Sequence, residues 1–201
     1  MTAASLTRAL QQRMLSVVAA ATIAPFIVAA LHAAPADAYG YLSAPAGRQV
    51  QCAQSLLPCG PVKYEPQNVQ GPPGQRSCSG GDGRWADLDD DSKPWQVHHT
   101  SSTVTFTWTL TALHRTQNYE YWIGDTRVAV IDGKNQPPSG RTVTHTVNLG
   151  TFTGPQKLLG VWNVADTPSA FYSCVDLHIG SGTVTPVGIK GVSKKRAQIV
   201  A

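Results

Sequence analysis

The chain has 201 residues, 42% of them hydrophobic, and a formal net charge of +4. That length accommodates one domain with its own core. No basic stripe interleaved with aromatics runs along it, which excludes nucleic acid as the expected partner.

Arg8 and Arg13 precede a mostly apolar run from Met14 to Ala34, broken by Ser16, Thr22, Pro25 and His32. Ala36 and Ala38 then supply the small-x-small pattern that signal peptidase accepts. Residues 1–38 therefore read as a signal peptide and Tyr39 as the first residue of a secreted, monomeric protein. The apolar run is long enough for an uncleaved anchor, but the small-residue site directly after it favours cleavage. No later segment is apolar enough to span a bilayer. Loss of Arg8, Arg13 and Asp37 takes the charge from +4 to +3. Lys190, Lys194, Lys195 and Arg196 carry four of the remaining positive charges, so residues 181–201 read as a flexible basic tail on a nearly neutral domain.

Tyr39 to about Lys93 is dense in Gly, Pro, Ser, Asn and Gln and reads as a long loop-rich region. It holds Cys52, Cys59 and Cys78, with Cys174 far downstream. An even cysteine count in an exported chain indicates disulfides, and four cysteines leave three pairings open. A zinc site lacks the C-x-x-C or H-x-x-x-H spacing it needs. The acidic run Asp87 to Asp91 lacks the Gly and distal Glu of a calcium loop and reads as a solvated turn.

From Ser102 to Thr111 polar and apolar residues alternate, with Val104, Phe106, Trp108 and Leu110 on one face, as in a half-buried antiparallel strand. Tyr119–Ile123 and Arg127–Ile131 are further strands, and Gly133–Gly140 is a turn or loop. Val143–Leu149 alternates again, placing Val143, His145 and Val147 on one face. Lys157–Val164 and Phe171–Ile179 complete the set. Short strands with turn signals between them predict an all-β sandwich over residues 39–180. His98 and His99 are expected just ahead of a strand. They, His145 and His178 read as structural or surface residues, and Trp108 and Trp162 as core.

Several stretches resemble one family. Tyr39-Gly-Tyr-Leu-Ser-Ala-Pro-Ala-Gly-Arg48 is similar to the opening H-G-x-x-x-x-P-x-x-R of the bacterial lytic polysaccharide monooxygenases, auxiliary activity family 10, also called chitin-binding type-4 domains. Cys59-Gly-Pro-Val-Lys-Tyr-Glu-Pro-Gln-Asn-Val-Gln-Gly71 resembles a segment of chitin-active members. Thr111-Ala-Leu-His114 resembles the family's T-A-x-H, and Trp162 to Tyr172 its W-x-x-A-D-T-x-x-A-F-Y. The resemblance implies an immunoglobulin- or fibronectin-like sandwich and the pairings Cys52–Cys59 and Cys78–Cys174. It places the reacting site at Tyr39, His114 and Phe171, the last as the aromatic beside the metal. It also places the polysaccharide face at Tyr64, Glu65, Pro66, Gln67, Gln70, Asp166 and Thr167, with Gln70 where chitin-active members carry Glu.

In this family the N-terminal histidine binds copper through its α-amine and ring Nδ1, and a second histidine adds a third nitrogen. Position 39 is tyrosine. Its phenol oxygen lies at the para end of the ring and cannot close a chelate with its own amine, and a pKa near 10 disfavours phenolate. The α-amine and His114 remain, so copper affinity is expected to fall by orders of magnitude. The sequence thus points to a secreted protein that binds insoluble β-linked polysaccharide, chitin ahead of cellulose, with copper oxidation lost or weakened. The alternatives are oxidative cleavage through an atypical copper site and a cell-surface interaction role.

Overall fold

The computed structural model describes residues 40–180. The expected signal peptide, Tyr39 and the basic tail lie outside them. The strands are β1 (Gly40–Ala44), β2 (Gln70–Gly71), β3 (Val97–Thr100), β4 (Thr103–Leu110), β5 (Thr116–Ile123), β6 (Thr126–Gln136), β7 (Thr142–Asn148), β8 (Gly154–Val164) and β9 (Ala170–Ile179). They form a three-stranded sheet, β1-β4-β7, and a six-stranded sheet, β2-β9-β8-β5-β6, with β3 also on β9. Pairing is antiparallel except for β3, which runs parallel to β9. This is the expected sandwich.

The inner faces of the two sheets form one core. Val104, Phe106, Trp108 and Leu110 of β4 are buried there while the intervening threonines face outward or sit half-buried, as the alternation predicted. Trp162, Tyr119 and Phe171 come from the other sheet. A second core lies on the outer face of the six-stranded sheet, where residues 45–95 cover it. Trp85, Leu88, Val62 and Val69 pack there on Leu159, Val161, Tyr172 and Cys174. Both disulfides belong to this layer, Cys52–Cys59 and Cys78–Cys174, the pairings the resemblance implied.

The loop-rich reading holds for residues 40–93, with additions. Beyond β1 and β2 the region contains a short helix, α1 (Arg48–Ala53), and 3₁₀ turns at Pro61–Lys63 and Gly83–Asp89. Arg48 of α1 is buried. Its Nε and Nη2 donate to the two Asp176 carboxylate oxygens at 2.8 and 2.7 Å, and Nη1 donates to the Leu88 carbonyl. Nη2 also lies 2.8 Å from Asp91, and the guanidinium sits 4.8 Å from the Trp95 ring centroid.

Two local readings gain detail and one is corrected. The acidic run is solvated at Asp89, Asp90 and Asp91, as expected, and its carboxylates also hold the loop layer together. Asp87 accepts from the Gly60 amide and pairs with Lys93, Asp89 accepts from the Cys78 and Ser79 amides, and Asp91 bridges Arg48 and Lys157. His98 and His99 stand just ahead of β4, as expected, and form part of a short strand of their own, β3, which pairs with the end of β9. The loop expected from Gly133 starts only after Gln136. Lys134 and Asn135 take positive φ, 53° and 55°, inside β6 opposite an irregularity in its pairing with β5. A bulge thus absorbs the turn-forming residues without ending the strand.

Candidate functional site

One end of the sandwich gathers the start of β1, the ends of β4 and β8, and the starts of β5 and β9. Gly40 is tightly packed at this end. A Cβ there would lie 2.9 Å from both Leu110 Cδ2 and Trp162 Cε3, so no larger residue fits between the two sheets. Its amide donates to the Gln67 carbonyl at 3.2 Å, which ties the Tyr64–Gln70 segment to β1.

His114 follows β4, and Asp166 lies in the β8–β9 turn. Asp166 Oδ1 is 2.8 Å from His114 Nδ1, and Oδ2 accepts the Arg115 amide at 3.0 Å. The Ala165 amide donates to the Arg115 carbonyl at 2.7 Å, locking the two loops together. Partial desolvation pushes the Asp166 carboxyl up, but the Arg115 amide and His114 outweigh it and hold it below its ordinary range. A carboxylate only accepts, so His114 carries a proton on Nδ1, and in the neutral ring Nε2 is the nitrogen with a free lone pair.

The Tyr64 segment reaches this end through the Gly40–Gln67 hydrogen bond and the Gln70–Phe171 pairing. The 3₁₀ turn ends at Tyr64, whose amide donates to the Pro61 carbonyl at 3.0 Å. The ring is 78% exposed, with the Lys63 ammonium 5.7 Å from its centroid. Glu65 is exposed, and Pro66, Gln67 and Gln70 are half-buried. Gln70 Nε2 donates to Asn68 Oδ1 at 3.2 Å, and Asn68 Nδ2 donates to Glu65 Oε2 at 2.8 Å. Val69 is buried beneath, its carbonyl taking the Tyr172 amide. Gln70 is the register partner of Phe171, which is fully buried with its ring 5.2 Å from that of Trp162.

The family model described as "Lytic polysaccharide mono-oxygenase, cellulose-degrading" matches residues 39–177. A lytic chitin monooxygenase of Streptomyces ambofaciens is 49% identical over 168 residues, 84% of this chain and 97% of that protein. The chain belongs to the lytic polysaccharide monooxygenases of auxiliary activity family 10. The neutron structure of a Jonesia denitrificans lytic polysaccharide monooxygenase superposes with a TM-score of 0.67 at 40% identity, covering 71% of this chain and all of that one. A family 10 lytic polysaccharide monooxygenase of Mycosarcoma maydis is 31% identical over 72% of this chain, which spans about half, 53%, of that relative.

Within this monooxygenase-family domain, the structure brings His114, Asp166, Phe171 and the Tyr64–Gln70 segment to one end. Asp166, expected to contact polysaccharide, also orients His114. Thr167 organises the same turn, its Oγ1 accepting the Ser169 amide at 3.4 Å. Phe171 is a core residue packed on Trp162. Asn68 was not singled out from the sequence; its signal was its place three residues after Glu65 and two before Gln70. No group of three His, Cys, Asp or Glu side chains able to hold a metal occurs among the described residues. His145 is held elsewhere, its Nδ1 2.7 Å from the Tyr121 hydroxyl, while His98, His99 and His178 lie at the other end of β9.

Proposed function

We propose that this protein is an exported, monomeric module that binds the flat surface of an insoluble β-linked polysaccharide, chitin ahead of cellulose, and that its copper monooxygenase chemistry is lost or strongly weakened. The observation that carries the binding half is Tyr64, 78% exposed on a segment tied to the start of β1. Its open ring face suits a sugar ring, and Glu65, fixed by Asn68, offers an acceptor to hydroxyl or amide groups. The name of the Streptomyces ambofaciens relative supports chitin as the first substrate, and the family description keeps cellulose in view.

The weakened chemistry rests on the donor set. His114 offers one imidazole nitrogen, and a chain starting at Tyr39 adds its α-amine. The Tyr39 phenol cannot close the chelate, and no other described histidine reaches this end. These residues do not fit a three-nitrogen copper brace, so no reaction step is derived through the metal. A second reading, oxidative cleavage through an atypical site, is favoured by the His114–Asp166 pair, which keeps Nε2 ready to coordinate.

The test is mass spectrometry of the secreted N-terminus, then copper titration and retention on chitin and cellulose. The expected result is a chain beginning at Tyr39, weak copper binding at His114, and retention on chitin that drops about tenfold in Tyr64→Ala. A Tyr39→His variant is expected to gain copper affinity. Tight copper binding lost in a His114→Ala variant establishes the second reading. A folded protein retained on neither polysaccharide overturns the binding role in favour of a cell-surface interaction role.

A further inference from the structure

At the far end of β9, the parallel β3 edge strand sets His99 directly beside His178 as register partners. Both side chains are exposed, with ring centroids 5.1 Å apart and planes 28° from parallel. Neighbouring strands lie about 4.8 Å apart, so the backbone delivers two imidazoles to one spot on the same sheet face. We propose that His99 and His178 form a two-imidazole site for a late first-row divalent cation, with Cu2+ bound more tightly than Ni2+ or Zn2+.

Imidazole suits all three ions, and the intrinsic affinity order puts Cu2+ first. Both exposed rings, His99 on the edge strand and His178 on β9, reorient by staggered rotations, so the stack opens into a chelate with no movement of the backbone. Once one ring holds the ion, the second acts at high effective concentration because the ladder fixes its distance. Among the described residues no third His, Cys, Asp or Glu joins them as a ligand. His178's other register partner is Pro155, which has no side-chain donor. Two residues back on the same face stand Val97 and Asp176, and Asp176 is held by Arg48 at 2.8 and 2.7 Å. His98 alternates to the opposite face. Water completes the coordination.

His178 lies seven residues along β9 from Phe171, about 23 Å at about 3.3 Å per residue. An ion here is therefore separate from the His114 end, and it joins β3 to β9 across the sheet edge. Binding to the folded state alone raises the unfolding temperature.

The test is calorimetric titration of the full secreted chain with Cu2+ near neutral pH, with amide NMR at substoichiometric Cu2+, in a His114→Ala background. The expected result is one binding event that weakens about tenfold or more in His99→Ala and in His178→Ala, and is unchanged in His98→Ala. Cu2+ is expected to broaden the amides of Val97–Thr100 and Asp176–Ile179 first. Unchanged titration in both single variants overturns the site, as does early broadening confined to other segments. If an alanine variant fails to fold, His178→Asn, read by the same broadening, gives the same decision.

Discussion

Asp166 shows how much a single side chain sets at the His114 end. Its two oxygens serve two donors, the His114 ring and the Arg115 amide. Asparagine has one acceptor oxygen and would turn an N–H against one of them. Asp166→Asn is therefore expected to reduce the fraction of His114 in the Nδ1-protonated tautomer, read from its imidazole nitrogen shifts, whereas Thr167→Ser leaves that fraction unchanged. If metal binds through Nε2, its affinity should fall about 10–100-fold in Asp166→Asn. The sequence carried the identities of this site better than its contacts. His114, Tyr64 and Asp166 stand in motifs, but the orienting role of Asp166 depends on the β8–β9 turn folding back onto the end of β4. The Gln70–Asn68–Glu65 relay likewise exists only once Val69 is buried and the polar residues around it turn outward.

At the scale of elements, alternation was legible where a strand buries one face and lost where it buries two. β4 shows it. β8 is buried continuously from Leu158 to Val164 because the inner core takes one face and the loop layer the other. β6 failed differently: Gly133, Lys134 and Asn135 carry turn chemistry, yet the strand passes through them. Gly133 is there because of its neighbour. A Cβ would lie 2.4 Å from both the Thr116 carbonyl oxygen and Thr116 Cγ2, leaving no room without a backbone shift. Thr116 Oγ1 in turn accepts the Trp162 indole N–H at 2.9 Å, so that shift reaches the core beneath the functional end. Gly133→Ala is expected to destabilise the protein by about 1–3 kcal/mol in urea unfolding. Gly124→Ala, where a Cβ meets nothing within 4 Å, pays only the strain of its positive φ, 53°. A cost at Gly133 no larger than at Gly124 would show that the sheet edge yields.

For the whole molecule, the loop layer was the least legible part, because its order comes from contacts far apart in sequence. Arg48 and Asp176 are 128 residues apart, and the Cys78–Cys174 bridge spans 96. The inner core adds its own long-range polar chain. Trp108 Nε1 can only donate, so the Tyr121 hydroxyl accepts from it at 3.1 Å and gives its proton to His145 Nδ1 at 2.7 Å. Burial lowers the His145 pKa and pushes Tyr121 well up, while the neighbouring Tyr119 is raised to about 12. His145 is thus held neutral, with Nδ1 as an acceptor. The folded state takes up this proton at lower pH than the unfolded chain does, so stability from this group is fully present above the ordinary histidine value of about 6.5. It declines as pH falls below that value and stops declining below the depressed folded value. The depressed carboxyls of Asp87, Asp91 and Asp166 act in a separate window, since their stabilisation is lost only as pH falls below the ordinary aspartate value of about 3.9. The melting temperature is therefore expected to fall by a few degrees between neutral pH and about pH 5. His145→Gln, which cannot protonate, should flatten that slope while leaving the steeper loss below about pH 4 in place. An unchanged slope in the variant would move the cause to another group.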